Sequence, residues 1–426
     1  MVVVIACGSD APAPPPSPPP DETGFVDVPA RHDADGPGRL FYVFRRSNVA
    51  GAPLAVFFNG GPGYATSLGL LPYGTSPMTI DVASRAVVPN LASWTSFANL
   101  LFIDERMAGF SYGLAKTSAC AFDPVADAGD FVRAVLHFLD AHAALTSAPV
   151  VFVAESYGGT RATYALDLLL RFQTEAQRVD ETLASEIQAH YDRVFPNQTI
   201  DEATAAKQFG RAVLLEPYLF GSAQITSQQA LEPQDPWVGS PSANSDPYDV
   251  RQPFGFTDGL LDSVANALAN GGASQLFGAG FEAIPGLAPA DRASAFRTTE
   301  TVPDSAAMVA LASSMTTALG GLGSGDAYVH GIATACADVS PVFTSQDGAL
   351  AELVANAPFV KTFVSRARYD ATIYVPAIFD VLAKAGRQDV VDAMHVVSYD
   401  ASGHMIEVTE PQKLHDDVAA WVASGR

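Results

Sequence analysis

The stretch Val151-Phe-Val-Ala-Glu155-Ser156-Tyr157-Gly158-Gly159 constrains this chain more than any other. A wholly apolar run, Val150–Val153, stops just short of a serine, and a strongly helical stretch, Arg161–Phe172, follows it. A short strand without polar residues suits a parallel sheet covered on both faces. A serine on a tight strand-to-helix turn sits in strained backbone with its hydroxyl exposed. The residues two positions to either side must be small, because strand and helix backbones nearly touch there; they are Ala154 and Gly158. The helix N-terminus favours negative charge developing at the serine, and the Tyr157 N–H is aimed at the same place. Taken alone, the segment fits an ordinary strand-to-helix turn about as well as a nucleophile.

Three further segments shift that balance. Asn59-Gly60-Gly61-Pro62-Gly63 follows the strand Leu54–Phe58 well upstream of the serine. A loop after an early strand supplies the second oxyanion N–H in the α/β-hydrolase fold, and Gly61 is the candidate donor. An activated serine needs a histidine, and the histidine needs a carboxylate. Of eight histidines, His404 in Ser402-Gly403-His404-Met405 lies between the last strand and the last helix, where this fold places its base. Asp370 follows the strand Phe363–Ser365, and the order Ser156, Asp370, His404 is the usual one. Asp400 is its main rival.

Strands at Leu40–Phe44, Leu100–Ile103, Val213–Leu215 and Val396–Tyr399 join those already named. With helices at Phe131–Ala143 and Pro411–Ala423, they alternate as a mostly parallel sheet with helices on both faces requires. The expected division is an N-terminal leader and tether over 1–24, a first core part over 25–174, inserted cap segments over 175–350 with a core strand near 211–217, and a last core part over 351–426. Glu175–Gln208 is polar and helical, whereas 221–349 is rich in Gly, Ser, Ala and Pro; both are expected to cap the carboxyl ends of the strands.

The chain has 426 residues and a net charge of −22, a surface that repels phosphate backbones and argues against nucleic-acid binding. No Cys-x-x-Cys pair exists, and no motif calls for a metal or an organic cofactor. Val4-Ile5-Ala6-Cys7 looks like a bacterial lipobox, with Cys7 as the lipid-attachment residue behind a clipped signal, and Ala11–Pro20 reads as a stiff proline-rich tether. Export is then expected, as an envelope lipoprotein or a periplasmic or extracellular protein. In that setting Cys120 and Cys336 either pair or remain buried thiols.

Several of these segments together resemble the serine carboxypeptidase family. Phe57-Phe-Asn-Gly-Gly-Pro-Gly63 is similar to its Trp-Leu-Asn-Gly-Gly-Pro-Gly loop. Leu101-Phe-Ile-Asp-Glu105 with Gly109-Phe-Ser-Tyr-Gly113 is similar to its Asp-Gln-Pro…Gly-Phe-Ser-Tyr segment. Glu155–Gly159 matches its Glu-Ser-Tyr-Gly-Gly turn, and Gly403-His404-Met405 its Gly-His-Met. The resemblance implies Ser156, Asp370 and His404 as triad, Gly61 and Tyr157 as oxyanion donors, and Asn59, Gly60, Glu155 and Met405 around the substrate. It implies a peptide substrate cleaved from its C-terminus, preferably in acid, since a carboxyl beside a bound carboxylate must be protonated to donate. One departure stands out. The family pairs its Glu155-type acid with a glutamate in Glu-Leu-Gly-Pro, where this chain reads Leu71-Pro72-Tyr73-Gly74-Thr75. An esterase or acyltransferase on the same scaffold, and a non-catalytic envelope binding protein, are the alternatives.

Overall fold

The computed structural model describes residues 21–31, 36–67, 69–81, 84, 86–106, 108–113, 122–221, 224, 273–277, 348–368, 370 and 373–425. The lipobox at Cys7, the tether, the Cys120 and Cys336 pair, and most of the second insertion lie outside the described residues.

Nine strands form one sheet: β1 (Glu22–Val28), β2 (Gly38–Arg45), β3 (Leu54–Phe58), β6 (Asn99–Ile103), β7 (Tyr112–Gly113), β8 (Val150–Glu155), β9 (Arg211–Leu215), β10 (Lys361–Ala367) and β11 (His395–Tyr399). Two more, β4 (Met78–Asp81) and β5 (Ala86–Pro89), make a separate hairpin. The order β1-β2-β6-β3-β8-β9-β10-β11 starts antiparallel, and every pair from β6 onward is parallel. The sheet edge at β1 was not legible; Glu22–Val28 alternates weakly and begins ahead of the expected start of the core.

The central strands show why their sequences are apolar throughout. Side chains alternate across a strand. In β3, Leu54, Val56 and Phe58 enter one core layer while Ala55 and Phe57 enter the other. In β8, Val150, Phe152 and Ala154 face the first layer and Val151 and Val153 the second. Phe58 lies 5.3 Å from Phe152 and 4.7 Å from Phe131, and on the opposite face Phe57 stacks on Phe102 at 4.4 Å.

Helix α1 (Pro124–Ala141) starts earlier than apolar spacing suggests, because Pro124 occupies its first turn and the Asp123 carboxylate accepts from the N–H groups of Val125 and Ala126. Helix α2 (Gly158–Leu170) is buried along its whole length. Beyond it come α3 (Leu183–Val194) and α4 (Glu202–Phe209). These were expected to cap the carboxyl ends of the strands, and they do not. Leu183, Ile187, Tyr191, Ala205 and Phe209 join the core layer shared by α1, α2 and β8. Gln208 donates to the carbonyls of Thr146 and Ala148, just ahead of β8 at the opposite end of the sheet. Their polar residues line one side of amphipathic helices whose other side closes the core. The chain returns to that layer at α5 (Gly348–Asn356), where Asn356 donates to Asp167 of α2. The helices α6 (Pro376–Lys384) and α7 (Gln388–Ala393) link β10 to β11, and α8 (Ile406–Thr409) and α9 (Pro411–Ala423) close the second face. No described helix is long and apolar enough to cross a membrane.

One buried cation joins α1, α2, β3 and the loop after β6. Arg161 donates through Nε to Asp127 and through Nη1 to the Asn59 carbonyl, both at 2.7 Å, and its Nη2 bonds Glu105. Its guanidinium sits 4.5 Å from the centre of the Phe131 ring. Removing one partner of a fully buried charge set strands the others. We expect Arg161→Leu to lower unfolding free energy by about 3–5 kcal/mol, measured as a reduced urea midpoint at unchanged slope.

Candidate active site

Loops following β3, β8, β9, β10 and β11 meet at the carboxyl end of the parallel strands, the end where open sheets of this kind bind ligands. The loop after β8 carries Ser156 at φ +57°, the left-handed region that a non-glycine residue occupies only under constraint. Its neighbours supply the constraint. Ser156 N–H donates to the Leu215 carbonyl, and the Ser156 carbonyl accepts from the N–H groups of Gly159 and Tyr218, each at 2.9 Å. Two glycines let the backbones meet here. A Cβ on Gly158 would lie 2.5 Å from the Phe58 carbonyl oxygen, and one on Gly60 would lie 2.6 Å from Ser156 Cβ and 3.0 Å from its Oγ. The glycine loop therefore runs against the serine, with Gly61 (φ +110°) one residue beyond the contact and Tyr157 opening α2. The Tyr157 hydroxyl donates to Asp127, fixing the first turn of that helix to α1.

His404 stands on the other side. Its Nδ1 is 2.7 Å from Asp370 Oδ2, while its Nε2 is 3.9 Å from Glu155 Oε1, so the free edge of the ring faces the residue next to Ser156. Asp370 is itself held by the Ile373 N–H, 3.0 Å from its second oxygen. Asp400, the rival acid, is exposed to solvent. The loop carrying His404 is braced by Glu410, which accepts from the Ser402 hydroxyl at 2.7 Å and from the Ala401 N–H at 3.1 Å.

Glu155 is buried, and Asn59 Nδ2 donates to its Oε2 at 2.6 Å. Asn59 is fixed in turn by the Leu70 N–H on its Oδ1 and by Arg161 on its carbonyl. Burial, with the nearby negative charge of Asp370, pushes the Glu155 carboxyl up to about 7 against the opposing pull of His404 and Asn59. Burial works against a charged His404, but the Asp370 carboxylate on Nδ1 and then Glu155 raise the imidazole to about 9. Met405 is buried and packs into the core layer of Leu71, Tyr73 and Ile406.

Two buried acids beside these residues escaped the sequence reading. Glu216 closes β9 at φ +43° and accepts from the Ser365 hydroxyl at 2.9 Å and the Ala367 N–H at 2.7 Å, bracing the end of the strand that leads to Asp370. An acid ending an apolar strand, as Glu155 ends β8, was the available signal. Glu407 lies three residues past His404 with neither carboxyl oxygen hydrogen-bonded. Away from this region, Asp167, Glu175 and Glu352 converge closely enough to hold a cation. Arg171 and Arg178 already bridge them, with Glu352 receiving both guanidinium groups at 2.6 and 2.9 Å.

A family model described as serine carboxypeptidase matches residues 12–184. Carboxypeptidase sxa2 of Schizosaccharomyces pombe is 30% identical over 139 residues, 32% of this chain and 27% of that protein. A pheromone-processing carboxypeptidase of Phytophthora infestans is 36% identical over 115 residues, 26% of this chain and 19% of its own length. The chain thus spans about a third or less of the length of these relatives. The crystal structure of a prohormone-processing carboxypeptidase from Saccharomyces cerevisiae superposes with a TM-score of 0.54 over 95% of this chain and 91% of that one, at 12% identity, which speaks for the fold.

Residues 12–184 of the chain resemble the serine carboxypeptidases.

Its fold is that of the α/β-hydrolases, and the segments that carry the serine carboxypeptidase resemblance have visible structural work. In the second of them, Asp104 accepts from the Ser67 N–H and hydroxyl and from the Phe110 N–H, tying the glycine loop to the loop after β6. Gly109 is required there, since a Cβ would lie 2.1 Å from Asp104 Oδ2. The segment lacking the family's second glutamate, Leu71–Thr75, is a buried turn with Tyr73 at its centre.

Two outcomes are expected from this geometry. Gly60→Ala pushes the serine and the loop apart and should lower kcat by at least about a hundredfold, in steady-state assays, with little change in melting temperature. Glu155→Gln removes an anion that stabilises protonated His404. The imidazole then loses its proton at lower pH, and the acid limb of kcat/KM for an uncharged ester substrate should move to lower pH; an unmoved limb would show that Glu155 does not act on the ring.

Proposed function

We propose that this protein is a serine-type carboxypeptidase, hydrolysing peptides from the C-terminus through a Ser156–His404–Asp370 triad and an acyl-enzyme. The observation that carries the reading is the position of the His404 ring, with one nitrogen on Asp370 and the other turned toward the Glu155–Ser156 turn. Asp370 holds the Nδ1–H tautomer, so Nε2 takes the Ser156 proton as the hydroxyl attacks the peptide carbonyl. The N–H groups of Gly61 and Tyr157 receive the oxyanion. His404 then protonates the leaving amine, and a water deprotonated by the same nitrogen hydrolyses the acyl-enzyme.

Glu155, Asn59 and Gly60 surround the place where the peptide's terminal carboxylate would sit, one residue beyond the scissile bond. A buried acid that titrates at about 7 suits this task. Below that pH it is neutral and donates a hydrogen bond to the carboxylate; above it, ionised, it repels. Glu155 and His404 also share a proton economically. With Glu155 protonated, the imidazole loses one of the neighbours that favour its charge, while Asp370 on Nδ1 continues to favour it. A peptide-cleaving enzyme of this kind fits the exported setting read from the N-terminal segment, where Cys7 would carry a lipid anchor.

Ser156→Ala should reduce kcat by at least about four orders of magnitude on any substrate the protein turns over. In the wild type, peptides with a free C-terminus should be cleaved in preference to their amides, with KM for the free acid rising above the titration of Glu155 while KM for the amide stays flat. Equal cleavage of acid and amide, or cleavage of esters alone, would assign the scaffold to ester chemistry instead, a reading that the apolar Leu71–Thr75 turn favours.

A further inference from the structure

The two N–H groups assigned to the oxyanion lie on different segments, and the ladder between their strands ends before it reaches them. β3 and β8 pair as far as Phe58 and Ala154. Gly61 and Tyr157 each stand three residues past that last rung. The backbones are in close contact there, since a Cβ on Gly158 would lie 2.5 Å from the Phe58 carbonyl oxygen. Contact of that kind limits approach, but it resists neither separation nor twist. A bond across the gap is needed for those.

Arg161 supplies one. Its N–H donates to the Tyr157 carbonyl at 3.1 Å, one helical turn back. Asp127 of α1 ties the same two residues a second time. Its Oδ2 accepts from the Tyr157 hydroxyl at 3.0 Å and from Arg161 Nε at 2.7 Å. Tyr157 and Arg161 are therefore held as a unit. From that unit Nη1 reaches the Asn59 carbonyl at 2.7 Å, where β3 runs out toward Gly61. The Asn59 side chain also crosses, to Glu155 at 2.6 Å, but a side chain turns about its own bonds. A bond to the carbonyl fixes the peptide plane itself. It turns the Gly60 N–H away from the cluster and sets the direction in which the glycine loop starts. The remaining nitrogen, Nη2, bonds Glu105 in the loop after β6. Each guanidinium nitrogen is thus committed to a different segment.

We propose that Arg161, held by Asp127, is a positioning residue that sets the spacing between the Gly61 and Tyr157 N–H groups. The inference rests on the oxyanion roles given to those two groups in the proposed function. Arg161 lies buried behind the turn and takes no part in bond making. Its loss is felt in the transition state. A ground-state carbonyl asks little of the two donors, whereas an oxyanion needs both at hydrogen-bonding distance. The cost is carried by kcat, and KM is left to contacts elsewhere on the substrate.

Arg161→Lys in the full chain is the test. Lysine keeps a buried positive charge near Asp127 and Glu105, but its single nitrogen cannot reproduce the planar fork that serves both acids and the carbonyl. With a p-nitrophenyl ester, kcat should fall at least about tenfold while KM stays within about threefold. The inhibition constant of an alkyl trifluoromethyl ketone, which forms an oxyanion on the serine, should rise by the factor by which kcat/KM falls. Arg133→Lys controls for stability alone. Arg133 is an equally buried arginine of α1 that pairs with Asp180 and Glu186 at 2.7 and 2.9 Å. Its exchange should lower the melting temperature and leave kcat unchanged. Tyr157→Phe loses only the hydroxyl bond to Asp127 and should lower kcat at least about threefold with KM unmoved; it decides the matter if Arg161→Lys does not fold. Wild-type kcat in a folded Arg161→Lys or in Tyr157→Phe, a rise in KM alone, or an equal loss in Arg133→Lys overturns the inference. If Ser156→Ala turns over the ester as fast as the wild type, the serine reading fails first. If Ser156 is required and Arg161→Lys stays fully active, the positioning role alone falls.

Discussion

Everything at the candidate site depends on two backbones being allowed to touch. The end of β3 and the start of α2 approach so closely that a single methyl group at Gly60 or Gly158 would collide with Ser156 or with the Phe58 carbonyl. That approach holds Ser156 in a left-handed conformation and brings the glycine loop against it, so the hydroxyl and the loop N–H groups share one small volume. The strain is stored locally and resisted on all sides, by the Leu215 carbonyl, the Tyr218 N–H and the Arg161 cluster behind the turn. A site assembled this way costs little rearrangement when charge develops, because its dipoles are already fixed.

Around that point the protein gathers acids. Glu155, Glu216, Asp370 and Glu407 all come within electrostatic reach of one another or of one imidazole. So many carboxylates cannot all ionise in a dry environment, and burial raises Glu155, Glu216 and Glu407. Asp370 has His404 beside it, with Nδ1 of the ring 2.7 Å from its Oδ2. This is a division of roles by environment, in which one carboxylate orients the base and the others stay neutral and donate or brace.

Much of this was legible in the residues themselves. β3, β8 and the closing helix Pro411–Ala423 stand where their apolar runs and breakers put them, because strands buried on both faces leave no polar register to confuse the reading. Asp370 and His404, each read from its place after a strand with Asp400 as the rival acid, lie 2.7 Å apart, while Asp400 is exposed. The failures have a common physical cause. Helices α3 and α4 look like a polar excursion, yet only one side of each is polar, and which surface the other side covers is a tertiary fact. Glu216 and Glu407 are single acids in unremarkable words. Glu216 had one local signal, its place at the end of an apolar strand; nothing local marks Glu407, which packs against Gly74 more than 300 residues away in the chain.

Among the described residues Glu155 is bonded by Asn59 and approached by His404 and by no arginine, which bears on the proposed carboxypeptidase reading. A bidentate guanidinium would bind a terminal carboxylate tightly at every pH, and it would bind the released amino acid just as well. Arg161, buried behind the turn, holds Asn59 by the carbonyl. On the proposed reading, recognition by a neutral Glu155 would be weaker and conditional, since it would require a proton that the site itself holds. In the proposed reaction, an imidazole that gives its proton to the leaving amine would lose the positive charge that favours an ionised Glu155, and the pair would readjust. Binding, base strength and product release then draw on the same few protons. On that reading, a chain with a net charge of −22 would discriminate for a carboxylate without placing an uncompensated cation in its core.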